Sequence, residues 1–277
     1  MSKLRIASNN VWSCEPNQPW WEERGLDCST KARAPGFAKA YSEFLPDVIG
    51  LQEADRNLRQ TIHNHLRAKG LDYALIYGSA TSLMYRPDKL DLIECDFHLY
   101  PDNLPGYEGV FNNARSKSYG IGVFRIKENG KYFAFANTHL WWMAESQRPH
   151  SNKARAYQLN SMLDRLDELR EKYNCPAIAV GDMNTNYDSE AVQSAISRGY
   201  LHAHDIATDF RDEKNGWHYC FPDGYDNYEK PGPFKSGIDH ILVAGVPEGA
   251  VRRFERFTPD YFMPLSDHFP VFADIEF

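Results

Sequence analysis

The sequence predicts a layered α/β (α+β) fold built as a single domain over residues 1–277, and three observations carry that prediction. Short apolar runs bounded by turn residues recur along the chain, and stretches with helical spacing interleave them. No low-complexity segment or Pro/Gly/Ser-rich linker divides the 277 residues. Buried strands flanked by amphipathic helices give such a chain its layers.

The runs at residues 4–7, 48–51, 121–124, 132–136, 177–180, 238–243 and 269–275 read as strands. Residues 32–45, 58–69 and 153–172 place apolar side chains three and four apart and read as helices covering the sheets. Two aromatic stretches, residues 11–30 and 212–235, read as long loops, which in compact domains are often functional.

Composition narrows the function. A net charge of -7 argues against a protein that grips long nucleic acid, which normally shows a basic stripe. It leaves room for a small phosphorylated substrate, because a bound cation can supply the local positive charge. The start, Met1-Ser2-Lys3-Leu4, lacks the apolar stretch of a signal peptide, and no run approaches the length of a membrane span or forms a basic amphipathic anchor. The expected location is cytoplasmic. The five cysteines are odd in number and scattered, which suits reduced thiols, and no protein partner is evident.

The strong polar residues sit at the ends of the apolar runs, where a site can be built without burying unpaired charge. Four follow their strands: Asn10 after residues 4–7, Glu53 after 48–51, His139 after 132–136, and Asp182 with Asn184 after 177–180. Two groups precede theirs, Asp239 before 241–243 and Asp267-His268 before 269–272. Strands antiparallel to the first set would bring all six groups to one sheet edge. Such a collection of carboxylates, amides and imidazoles suits Mg²⁺ or Mn²⁺ better than zinc. The His63/His65 and His202/His204 pairs fit ordinary surface or core histidines equally well.

These motifs, Leu51-Gln52-Glu53, Asn137-Thr138-His139-Leu140, Gly181-Asp182-Met183-Asn184, Ile238-Asp239-His240-Ile241 and Ser266-Asp267-His268-Phe269, together with Asn10, resemble the endonuclease/exonuclease/phosphatase superfamily in its own order. The resemblance implies a deoxyribonuclease I-like four-layer sandwich, two mixed β-sheets face to face with helices outside. It implies a metal-dependent phosphoric ester hydrolase with Glu53 as principal metal ligand, helped by Asn10 and Asp267. Asp182 would orient or deprotonate water, Asn184 and His139 would hold phosphate oxygens, and Asp239 would fix and charge His268.

The chain carries Asn-Thr-His-Leu where abasic-site endonucleases carry Tyr-x-Pro-Asn, which disfavours that branch. It is similar instead to the branch with deoxyribonuclease I, sphingomyelinases, deadenylases and uncharacterised bacterial members. Arg115, in a basic group with Lys117 and Tyr119, is the candidate to reach a substrate phosphate, an ordinary solvated loop being the alternative. Trp141 and Trp142, after His139, are candidates to stack on a base or sugar. Arg155 and Gln158 are expected to position the helix that carries them. The first functional reading is a phosphodiesterase or nuclease, with nucleic acid or a small phosphodiester as substrate. The alternative is a phosphomonoesterase on a phosphorylated sugar or inositol, and an inert binding module of the same fold stands behind both.

Overall fold

Alternation along the strands decides where each side chain packs, because successive residues of a strand face opposite sides of its sheet. The computed structural model describes residues 2–13, 19–23, 25–112, 116–211 and 237–277. One sheet runs in the order Asp209–Arg211 (β10), Val251–Arg256 (β12), Val271–Glu276 (β13), Lys3–Asn10 (β1), Val48–Gln52 (β2), Thr81–Tyr85 (β4) and Ala74–Ile76 (β3). The other runs Leu90–Leu99 (β5), Ser118–Ile126 (β6), Tyr132–His139 (β7), Ala177–Asp182 (β8), Asp239–Ala244 (β11) and Leu201–His202 (β9). Both are mixed. β1 and β2 are parallel, as are β7 and β8, while β13 and β11 run antiparallel to β1 and β8.

Leu4, Ile6, Phe133, Phe135, Ile178, Val180, Ile241 and Ile275 form a buried layer between the sheets. Their neighbours in sequence face outward under the helices. Ala7, Ile49 and Leu51 pack with Phe37 and Tyr41 of Thr30–Phe44 (α2, after the short α1, Pro19–Glu22) and with Ile62 of Arg56–Ala68 (α3). Ala134, Ala136 and Ala179 pack with Leu159 and Leu163 of Ser151–Tyr173 (α4) and Val192 of Glu190–Ser197 (α5). Three apolar layers between four layers of structure are the sandwich that the family resemblance implied. Burial on both faces is why the central strands read as unbroken apolar runs.

Polar caps set the helix starts: the Ser29 hydroxyl accepts from Ala32, the Asp55 carboxylate from Asn57 and Leu58, and the Ser189 hydroxyl from Val192. The strands absent from the sequence reading include β5 and β12. Both put charged residues into their runs, Asp91, Glu94 and Asp96 in one and Arg252, Arg253 and Glu255 in the other, so no apolar run betrays them. The helix α1 lies inside the stretch read as one loop. Among the described residues no helix is long and apolar enough to cross a membrane.

A buried amide clamp crosses between the sheets next to the motifs. The Gln52 side chain donates to Asn137 Oδ1 at 2.5 Å and to the Ser8 hydroxyl at 3.0 Å, and Asn137 Nδ2 donates to the Leu51 and Ser82 carbonyls at 2.9 and 3.0 Å. Gly50 makes room for this: a Cβ there would lie 2.5 Å from Asn137 Cγ. Gln52 and Asn137 therefore lock together the strand ends that deliver Glu53 and His139.

Candidate active site

Strand register assembles the site. In the second sheet Asp182 stands level with His139 of β7 on one side and Asp239 of β11 on the other, and Asn10 is level with Gln52 in the first. Gly181 carries φ +151°, and a Cβ there would lie 2.0 Å from the Thr138 carbonyl, so the close approach of β7 and β8 at Asp182 requires glycine. Glu53 and Asn184 leave their strands with φ 57° and 50°, a conformation rare for side-chain-bearing residues and characteristic of functional turns.

The Asn10 amide donates to Glu53 Oε1 at 3.1 Å and to Asp182 Oδ2 at 2.9 Å. Asp182 Oδ1 accepts the Asn184 backbone N–H at 2.9 Å, and Glu53 Oε2 accepts that of Ser13 at 2.8 Å. The Asn184 side chain donates to the Leu140 carbonyl at 3.0 Å. His139 Nε2 lies 3.4 Å from Asp182 and 3.9 Å from Glu53. The expected pair of Asp239 and His268 is present at 2.7 Å, and His268 Nε2 lies 3.8 Å from Asp182 and 3.9 Å from Asp267. One cavity of about 590 Å³ opens over Glu53, Lys117, His139, Asp182, Asp267 and His268.

Burial and mutual charge set the protonation of this cluster. Burial pushes Asp182 up to about 6, aided by Asp239, against the pull of His268, Lys117 and the Asn10 amide. Asp267 is pushed up to about 7 by burial, with Glu53 and Asp182 adding to the shift. Burial disfavours charge on His268, yet Asp239, Asp267 and Asp182 outweigh it and hold the imidazole well above its ordinary range. His139 moves well below that range through burial and the neighbouring Lys117.

Lys117 is the residue that the sequence reading undervalued. It is almost fully buried, its Nζ sits 2.6 Å from His139 Nε2, and burial pushes it down to about 8 against the pull of Glu53 and Asp182. The signal was its place one residue before β6, whose first residue, Ser118, is in register with His139. Arg115, the residue favoured for that role, lies outside the described residues, as does the 212–235 stretch. The paired tryptophans separate. Trp142 lines the cavity half exposed, whereas Trp141 is buried with Leu104 and Phe111 and donates its indole N–H to Ser151, which corrects its assignment to the substrate. Arg155 and Gln158 hold this segment: Arg155 donates to the Trp141 and Met143 carbonyls, and Gln158 accepts the Trp141 N–H while donating to the Phe111 carbonyl.

Among the described residues, Glu53, His139 and Asp182 each bring a ligand atom within 4.8 Å of the others, a possible metal site. The set differs from the expected Glu53, Asn10 and Asp267 in drawing on Asp182 and His139. His139 Nε2 already receives Lys117, so the oxygens are the available donors. Glu53, Asp182, Asp239 and Asp267 face the cations Lys117 and His268, an excess of negative charge that a divalent ion would balance. The residues present fit a hard divalent cation.

A family model described as Endonuclease/Exonuclease/phosphatase family matches residues 10–268, from the first site residue to the last. The chain belongs to this family. It is accordingly a phosphoester hydrolase of the endonuclease/exonuclease/phosphatase type. Comparison with curated proteins finds no match. Solved structures of the same fold include a family member from Bacteroides thetaiotaomicron, 23% identical over 99% of this chain and 95% of that one, with a TM-score of 0.76. A mannosyl-6-phosphatase from the same organism is 23% identical over 99% and 100% of the two chains, TM-score 0.73. TDP2 of D. rerio, complexed with a single-strand DNA product, is 20% identical over the full length of both, TM-score 0.69.

Proposed function

We propose that this family member hydrolyses the phosphate ester of a small, ring-bearing alcohol, a phosphorylated sugar or cyclitol being the leading class, with Mg²⁺ or Mn²⁺ as its ion. The observation that carries this reading is the lining of the cavity. Its volume of about 590 Å³ is that of a small-molecule site. Among the described lining residues Lys117 is the sole lysine or arginine, facing Glu53, Asp55, Asp182 and Asp267. A polynucleotide is held through a track of cations, and among the described residues no such track runs along these walls. The half-exposed Trp142 offers a face to a sugar ring. The likeness to a mannosyl-6-phosphatase agrees with a sugar phosphate.

When bound, a divalent cation held by Glu53, with Asn10, Asp182 and Asp267 beside it, would supply charge neutralisation and Lewis acidity at a phosphoryl oxygen. Asp182, whose carboxylate the Asn10 amide holds in place, is the general base that takes a proton from the attacking water. His268, kept charged by Asp239, presents Nε2 to the charge that gathers on the phosphate or the leaving oxygen. The Asn184 backbone N–H keeps Asp182 turned toward the water.

The phosphodiesterase or nuclease reading keeps one observation in its favour. Trp12 and Trp142 both line the cavity, and two rings at a rim can stack on bases. The test sets purified protein with Mg²⁺ or Mn²⁺ against hexose phosphates, inositol phosphates, bis-p-nitrophenyl phosphate and single-stranded DNA, with His268→Ala as control. Turnover of sugar or inositol phosphates well above DNA, lost in His268→Ala, supports the proposal. DNA cleavage as the dominant activity would replace it with the second reading.

A further inference from the structure

We propose that Lys117, aimed by His139, is the cation that meets the non-bridging oxygens of the substrate phosphate, and that this ammonium selects dianionic monoesters over monoanionic diesters. The inference rests on reading the cavity as a phosphate-ester site and adds which side chain reads the charge of the phosphate.

The hydrogen-bond direction decides the argument. An ammonium has three N–H groups and no lone pair, so at 2.6 Å Lys117 is the donor and His139 Nε2 the acceptor. The imidazole proton is then on Nδ1, a buried atom with no hydrogen-bond partner among the described residues. His139 thus has no N–H to offer the cavity from Nε2. The grip on the phosphate that the family resemblance assigned to this histidine passes to its neighbour. Lys117 spends one of its three N–H groups on His139 and lines the cavity floor beside Ser116. Glu53 and Asp182 already help to keep this buried ammonium charged, and its other N–H groups are donors that a phosphate oxygen entering the cavity can accept from. His139 is the positioning residue in this pair. Its acceptor nitrogen fixes the end of a flexible four-carbon stem, which otherwise carries a mobile point charge.

A dianionic monoester gains more from this ammonium than a monoanionic diester does. The experiment compares wild type, Lys117→Met and Lys117→Arg, each with Mg²⁺, by kcat/KM on p-nitrophenyl phosphate and bis-p-nitrophenyl phosphate and by calorimetric binding of inorganic phosphate. Lys117→Met should lose about 100-fold or more on the monoester, the scale of a deleted transition-state donor, and less than about 10-fold on the diester. Inorganic phosphate should bind correspondingly more weakly, and Lys117→Arg should keep the monoester preference. Phosphate binding reads Lys117 even where the wild type turns over neither ester, so failure of the substrate assignment is distinguishable from failure of this inference. Equal losses on both esters with phosphate affinity intact would overturn it. If Lys117→Met does not fold, loss of the preference in folded Lys117→Arg overturns it equally.

Discussion

Asp239 Oδ2 lies 2.7 Å from His268 Nδ1, both side chains almost fully buried, and this contact keeps the histidine charged against the cost of burial. Asp239→Asn preserves an acceptor for Nδ1–H while deleting the charge. It should lower kcat/KM by about 100-fold to 10,000-fold. Removing the negative partner lowers the pKa of His268, so the alkaline limb of the pH profile should move toward lower pH. A pH–rate profile of the variant superimposable on that of wild type would show that His268 does not act as a cation.

Metal loading should be coupled to protons. Asp182 and Asp267 are held at about 6 and 7, so near neutral pH both are partly protonated without a cation and must release protons to receive one. Affinity for Mg²⁺ should therefore rise between about pH 6 and 8, and calorimetry in buffers of different ionisation enthalpy should register proton release. Binding should also stabilise the fold, by about 1.4 kcal/mol at ten times Kd. Chelation should abolish both turnover and that stabilisation, and Glu53→Gln should weaken them together. Mg²⁺ affinity independent of pH would mean that these carboxyls are not part of the site.

The amide clamp between the sheets should behave as one unit. Cutting either side chain strands the other's buried polar atoms, so Gln52→Leu and Asn137→Leu should each cost about 1–3 kcal/mol. The double variant should cost less than the two combined, with a coupling of about 0.5–3 kcal/mol in denaturant titrations. Simple additivity would refute the clamp. This role also changes how the two motifs read, since Gln52 and Asn137 stand beside the reactive residues and serve the architecture.

The central strands and long helices were legible because burial on both faces leaves apolar runs, and helical packing leaves a three-to-four spacing. The site was legible for a related reason. Glu53, His139 and Asp182 are charged or polar groups placed at the ends of such runs, a position that structure alone seldom demands. What escaped was information that exists only after the sheets pack. Lys117 looked like part of a solvated basic loop until the register of β6 against β7 set it beside His139. Trp141 and Trp142 are adjacent and chemically identical, and only the turn after β7 sends one into the core and the other to the cavity. Strands such as β5, at the edge of its sheet, and β12, one place in from an edge, carry charges along their runs, so periodicity gives no warning of them.

The histidine pair behind Asp239 supplies the last prediction. His240 Nε2 lies 2.7 Å from the Thr185 carbonyl, which can only accept, so His240 Nδ1 is an acceptor and takes the N–H of His202 Nε2 at 3.0 Å. His202 Nδ1 in turn accepts the backbone N–H of His204 at 3.3 Å. Backbone groups at both ends thus fix two neutral tautomers, and burial lowers both pKa values, that of His202 well below the usual range. A histidine depressed in the fold contributes its full stability above its unfolded pKa of about 6.5, and that stability is lost as pH falls toward the folded value, because the unfolded chain binds a proton that the fold refuses. His202→Gln keeps a donor toward His240 and removes the titration. It should be less stable than wild type at pH 7.5, and the gap should narrow at pH 5.5 by up to about 1.4 kcal/mol per pH unit travelled below 6.5. An unchanged gap in denaturant titrations at the two pH values would mean that folded His202 takes up its proton, which the fixed donor at Nε2 and acceptor at Nδ1 do not permit.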